Sequence, residues 1–382
     1  RGSKSRAADP CARDLLPLDR GMLGEPLWKA VDNAGSRSAL GLASRMPRTP
    51  LPAELASGPF AAHDAINRGV PASRLRAKAL HHITHGVHCA TPVEDGPELR
   101  RALLLGLPEA VALSHLSAGD VHGFPRTARQ TRDRRLHVMC GSNVGPIRRE
   151  GVAGHRGLEQ RVVHLHEEFA VVDAADTWCD YGELVRCDGL TVEDLVVVGD
   201  AAANVILRPD HTAYDFSDRR PQWWSDVTLD QRLEVRQVDV ERVRGELRQR
   251  LDARNRPRGK VLLSQALPLI RPWVRSPQES RARLMFIEAG FPEPVVNLDI
   301  HDDDGQWLAE GDLVWPEHRL IGEYQGEHHA SRHQASKDSD RKSRLRDRDW
   351  RTREIWAEDL SDPLRRHALL KRFAMLLDHP WP

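Results

Sequence analysis

The overall charge of this 382-residue chain draws it toward no particular partner. Lys plus Arg and Asp plus Glu both number 56, so the formal net charge is zero. That excludes a global attraction to nucleic acid; any such binding has to come from local patches. Cysteine is also sparse. Cys11, Cys89, Cys140, Cys179 and Cys187 are scattered, odd in number and never in a C-x-x-C pair. This argues against a disulfide framework and a structural zinc site, and it fits a reducing compartment. No apolar run approaches the length of a membrane helix, and the opening "RGSKSRAADPCARDLLPLDRG" lacks the apolar core of a signal peptide. The expectation is a soluble cytoplasmic protein with no membrane partner.

The chain does have 40% hydrophobic residues in 43.1 kDa, enough for two or three domains. Residues 1–50 are rich in Arg, Pro, Gly, Ala and Ser without a sustained period, and are expected to be a poorly ordered extension. Over 51–125 the pattern sharpens. "LPAELASGPFAAHDAINRGVPASRLRAKAL" reads as three short helices, with Gly69 ending the second and Pro71 opening the third, which runs from about 72 to 80. That helix carries Arg74, Arg76 and Lys78, and "HHITHGVHCA" follows as a strand or wing. Helix, turn, basic helix, wing is a winged-helix-like, mainly α layout that binds DNA. A small helical cap with a solvated basic face explains the same pattern. His81, His82, His85 and His88 are dense, but no nearby cysteine or acid spacing completes a zinc site. "PELRRALLLGLPEAVALSHLSAGDVHGFP" predicts two helices broken at Pro108.

Residues 126–275 mix strands ("RRLHVMCG", "RVVHLH") with helices. One of these is "TVEDLVVVGDAAANVI", with Thr191 as its N-cap. No group of residues there suggests chemistry, and the region reads as an α/β connector. Residues 276–382 read as an α/β domain with a small mixed sheet flanked by helices, in the order α, three strands, α, strand, α. Ser276, Pro277 and Glu279 suit the N-cap, N1 and N3 of its first helix, a capping box.

The chemistry concentrates in "GDLVWPEHRLIGEYQGEHH". With a turn at Pro316–Arg319, Trp315 faces Leu320, Val314 faces Ile321, Leu313 faces Gly322 and Asp312 faces Glu323. Facing side chains share one side of the sheet, and like charges there are destabilising unless a cation lies between them. Mg²⁺, or Mn²⁺, takes such carboxylates together with water and phosphate oxygens. Gln325 follows on the same side, two residues past Glu323. His328 and His329 are candidates for moving a proton. Lys337, Arg341, Lys342 and Arg344 are candidates for holding a phosphate backbone. Simpler explanations exist: a capping role for Glu279, an arginine partner for Glu323, and a solvated face for the charged helix that follows.

"SPQESRARLMFIEAGFPEP", "GDLVWPEHRLIGEYQGEHH" and "KDSDRKSRLRDRDWRTREI" together resemble an endonuclease-like domain family related to very-short-patch repair endonucleases, within the PD-(D/E)XK superfamily. The resemblance spans most of 276–377. It implies a restriction-endonuclease-like fold, a catalytic set of Glu279, Asp312, Glu323 and Gln325, and Mg²⁺ or Mn²⁺ at Asp312 and Glu323. It also places Asp338 and Arg341 on a polar helix that follows. Many members carry Lys where this chain has Gln325. The front half resembles actinobacterial proteins that place an AbiEi-type antitoxin winged-helix region ahead of such a domain. The expected function is a metal-dependent DNA endonuclease with an N-terminal DNA-binding module. The alternative is an inactive nuclease-fold DNA-binding regulator, or an AbiEi-like antitoxin of a type IV toxin–antitoxin system with a partner toxin.

Overall fold

The computed structural model describes residues 51–77, 79–93, 96–108, 110–216, 227–302, 304–326 and 341–381. The extension over 1–50 and the candidates Lys78, His328, His329, Lys337 and Asp338 lie outside the described residues. By its contacts the chain divides into two compact units, one ending at Leu105 and one beginning at Gly106.

In the first unit, α1 (Ala53–Ala56), β1 (Phe60–Ala61), α2 (Ala62–Asn67) and α3 (Ala72–Leu75) precede the hairpin β2 (His81–Thr84) and β3 (Val87–Cys89), and α4 (Pro97–Leu105) closes it. The strands form an antiparallel sheet in the order β1-β3-β2. Gly69, at φ +83°, ends α2, and Pro71 caps α3. Leu55, Phe60, Ala65, Val70, Leu75 and Leu80 make the core. The basic helix is shorter than expected. It stops at Leu75, Arg76 is its exposed C-cap, and Arg74 is half-buried with Nε and Nη1 unpartnered.

The second unit opens with a correction. The segment after Pro108 is β4 (Val111–Leu113) followed by α5 (His115–His122), not a single helix. A short apolar run reads alike for a buried strand and a buried helix. Next come β5 (Leu136–Cys140), β6 (Val152–Arg156), β7 (Val163–His166), β8 (Phe169–Val172), α6 (Ala174–Asp188), α7 (Val192–Leu207), α8 (Leu229–Asp252) and α9 (Lys260–Ala266). The five-stranded sheet runs β6-β5-β4-β8-β7. Trp178, Leu195, Val243, Leu247 and Leu263 knit the helices over it into one core. Thr191 caps α7 in a full capping box with Asp194.

The remainder follows the expected order. It comprises α10 (Pro277–Glu288), β9 (Val295–His301), β10 (Trp307–Trp315), β11 (Leu320–Gln325), helical residues 341–346 (α11), β12 (Arg351–Trp356), α12 (Ala357–Ser361) and α13 (Pro363–Leu376). The sheet is β12-β11-β10-β9, with β12 parallel to β11 and the other pairs antiparallel. Leu313, Trp315, Leu320 and Ile355 pack toward Phe286 of α10 and Phe373 of α13, while Val314 and Ile321 pack toward Leu345 of α11 on the other face.

This part is fastened to the helices before it. Asp200 of α7 and Arg283 of α10 are both fully buried and paired at 3.0 Å. Asp200 also accepts from Ser280 Oγ at 2.7 Å and from the Arg271 backbone N–H at 2.7 Å. Helix α7 of the 126–275 region is thus bound directly to α10.

Candidate functional site

The hairpin register is the expected one. Leu313 pairs with Gly322, Val314 with Ile321 and Trp315 with Leu320. A short turn over Pro316–His318 closes the hairpin, with Arg319 at φ +46°. One pair further along lie Asp312 and Glu323. Asp312 Oδ2 accepts from the Tyr324 backbone N–H at 2.8 Å, which ties its carboxyl to the opposite strand. By strand alternation, both acids share the sheet face of Val314 and Ile321, on which α11 packs.

Glu279 joins them from the first turn of α10. Ser276 caps that helix as expected, but the capping box is modified. Glu279 Oε1 accepts from Ser276 Oγ at 2.9 Å, and Oε2 accepts from the Arg275 backbone N–H at 2.9 Å and Asn297 Nδ2 at 2.6 Å. Asn297 has a left-handed φ of 46° within β9. Two arginines of α8 support the irregularity: Arg236 donates to the carbonyls of Val296 and Asn297 at 2.6 and 2.7 Å, and Arg232 donates to that of Asp299.

Asp312 feels both neighbouring carboxyls. Burial first, then the charge of Glu279, pushes Asp312 up to about 7; Glu323 adds to this, while the Tyr324 N–H and Arg341 oppose it. Burial likewise raises Glu279 above the usual carboxylate range against its three hydrogen bonds. Glu323 has a cation of its own. Arg341 Nη2 sits 2.7 Å from Glu323 Oε1 and donates to the Glu310 carbonyl at 2.6 Å. The expected phosphate-gripping Arg341 therefore lies on an acid of the cluster. Lys342 pairs with Glu354 of β12 at 3.1 Å, and Arg344 is exposed. Gln325 ends β11, half-buried, with Trp356 as its register partner.

Mg²⁺ and Mn²⁺ suit this donor set in its chemistry, since every candidate ligand atom is oxygen. Arg341 occupies Glu323 Oε1, and the three acids do not bring ligand atoms within 4.8 Å of one another as they stand. Glu279 already accepts at both oxygens, which suits contact through water. Beyond the hairpin, Lys342, Arg353, Trp356, Arg365 and Arg372 line a cleft at the β12 edge.

A second cluster lies where no chemistry was expected. His115 of α5, His155 of β6 and Glu183 of α6 bring potential ligand atoms within 4.8 Å of one another, the one such group found among the described residues. A signal for part of it existed. His137 and His155 lie on adjacent parallel strands, offset by two register positions and so on one face. Reading that signal required knowing that β5 and β6 pair.

No protein-family model and no solved structure matches the chain. Two proteins of Mycobacterium tuberculosis, from strains CDC 1551 / Oshkosh and H37Rv and both described as uncharacterized, are each 33% identical over 105 residues. The match covers 27% of this chain and 38% of each relative, so the chain spans well under half the length of the curated relatives it matches. Among the described residues, no helix is long and apolar enough to cross a membrane.

Proposed function

We propose that the acidic cluster hydrolyses phosphodiester bonds of DNA with Mg²⁺ or Mn²⁺ as cofactor. The observation carrying this reading is the gathering of half-buried Asp312, tied to the Tyr324 N–H at 2.8 Å, with buried Glu323 and Glu279 at the open end of the hairpin. A site that concentrates negative charge to this degree is one that a divalent cation would stabilise. Such a cation supplies charge neutralisation at the phosphoryl oxygens and a more acidic bound water. Asp312 and Glu323 would hold it and Glu279 would act through water. Gln325 would orient the attacking water through its amide, and that water's proton would pass to bulk solvent. Arg341 leaves Glu323 for a phosphate oxygen when DNA arrives, and the cleft with exposed Trp356 offers cations and a stacking surface for the strand. In the first unit, the helix–helix–hairpin order suits a winged-helix-like DNA-binding module, with exposed Arg76 as its phosphate contact. The test is nicking of supercoiled plasmid by the purified chain with Mg²⁺ or Mn²⁺, with Asp312→Ala and Glu323→Ala inactive. Equal activity in those variants overturns the assignment.

One observation favours a second reading, a DNA-binding regulator or AbiEi-like antitoxin with a silent nuclease fold. The Arg341–Glu323 pair already provides an internal cation, and Gln325 replaces the lysine common in the resembled superfamily. On this reading the protein binds DNA without cutting it. Binding then survives Glu323→Ala and falls with Arg76→Ala in a mobility-shift titration.

A further inference from the structure

We propose that His115, His155 and Glu183 form a Zn²⁺ site in the second unit, separate from the acidic cluster and independent of its function. Their ligand atoms lie within 4.8 Å of one another, and two imidazoles with one carboxylate is a donor set Zn²⁺ prefers. Three protein donors leave a fourth position for water.

The independent sign of a missing partner is at His115. Its side chain is fully buried, and its Nε2 has no hydrogen-bond partner. The nearest charged atom is Glu183 Oε2 at 3.8 Å, too far for a hydrogen bond. Its other ring nitrogen, Nδ1, is engaged with Ser114 Oγ at 3.1 Å. With the proton on Nδ1, the Nε2 lone pair and a carboxylate oxygen face each other with nothing between them. A buried polar atom in that state needs explaining, and an ion explains it. The backbone at His115 is also left-handed, φ +45°, strained for a non-glycine residue at the start of α5. That strain holds the ring where it is.

His155 is prepared by a chain of hydrogen bonds. Asp133 Oδ2 lies 3.2 Å from His137 Nε2, and His137 Nδ1 lies 3.1 Å from His155 Nε2. In this chain the Asp133 carboxylate accepts a hydrogen bond from His137 Nε2–H. The Nδ1 of His137 then accepts from His155 Nε2–H, which leaves His155 Nδ1 as a lone-pair donor. This is the carboxylate–imidazole arrangement that fixes the tautomer of a metal ligand. Asp133 and His137 are positioning residues here. His115 and His155 stack at 3.5 Å between ring centroids, 15° from parallel. Ligation by both rings opens that stack.

Calorimetric titration of the chelator-treated full chain with Zn²⁺ tests the proposal. One equivalent is expected to bind. Glu183→Gln, at a side chain one-third exposed, and His155→Asn should each lower the affinity by at least about tenfold. Asp133→Asn should lower it by ~10-fold or more through His137. Co²⁺ should report tetrahedral nitrogen and oxygen ligation in its visible spectrum. Asp312→Asn should leave zinc binding unchanged. If His155→Asn fails to fold by circular dichroism, Glu183→Gln carries the test. No saturable zinc binding, or binding unchanged by Glu183→Gln, overturns the proposal.

Discussion

The acidic and histidine clusters belong to the same unit and meet opposite electrostatic problems. Around Asp312 there is surplus negative charge, and the protein answers it in two ways: a proton retained on Asp312 near neutral pH, and the Arg341 guanidinium on Glu323. Around His115 the surplus is of electron pairs. The imidazoles crowd together, and the buried Nε2 of His115 has no hydrogen-bond partner. A charge imbalance can be met from within the chain, but an unused lone pair beside a carboxylate oxygen calls for a Lewis acid from outside. The two clusters should therefore choose different metals, hard Mg²⁺ or Mn²⁺ at oxygen and borderline Zn²⁺ at nitrogen.

That contrast can be broken by exchanging variants and metals. The largest effect expected is on cutting. Asp312→Ala or Glu323→Ala should reduce Mn²⁺-dependent plasmid nicking by ~10²–10³-fold or more, the scale for losing a main electrostatic element of a site, with zinc stoichiometry unaltered. Glu183→Gln should do the reverse, lowering zinc affinity and leaving the nicking rate at its starting value; a parallel loss of nicking would merge the two sites. A smaller effect is expected at Arg341. Arg341→Ala frees Glu323, so Mn²⁺ should bind more tightly by calorimetry, while the salt slope of DNA binding falls by about one.

The smallest effect is on stability, and it depends on pH. Asp312 is raised to about 7 from an ordinary value near 4, so the folded chain holds a proton there that the unfolded chain has lost. The stability tied to that proton is full below about pH 4 and lost as pH rises through about 7. Asp312→Asn should therefore melt increasingly above the parent chain as thermal scans move from pH 5 to pH 8. Adding Mn²⁺ should narrow the gap by stabilising the parent alone. A gap independent of pH would show that Asp312 keeps its ordinary pKa and does not feel its neighbours.

The acid hairpin could be read from sequence because its information is local. The turn at Pro316–Arg319 and the period of two set the register of Asp312 and Glu323, and both follow from adjacent residues. The Ser276 cap is local in the same way. Arg341 was visible as a basic residue, but its seat on Glu323 depends on where α11 lands. The histidines were hidden for the same reason. His115, His155 and Glu183 come from a helix, a strand and another helix, brought together by a sheet whose order is not that of the sequence. The strand at Val111–Leu113 was missed because three apolar residues carry no period. The α8 arginines beneath Asn297 gave no sign at all, since a left-handed residue inside a strand is a tertiary result.

The pair between Asp200 and Arg283 has a consequence for inheritance. Arg283 sits on the helix that also presents Glu279, and its partner is on a helix of the preceding layer. An exon boundary, recombination event or cloning primer that cut the chain just before Ser276 would carry away Arg283 without Asp200, and a fully buried guanidinium would lose one of its two carboxylate partners, keeping only Glu293 at 2.8 Å. Losing one member of such a pair typically costs about 3–5 kcal/mol, a large fraction of a domain's net stability. The segment that looks most portable in the sequence is thus tied to its upstream neighbour. Descendants of this chain should keep the two layers together or replace both residues at once.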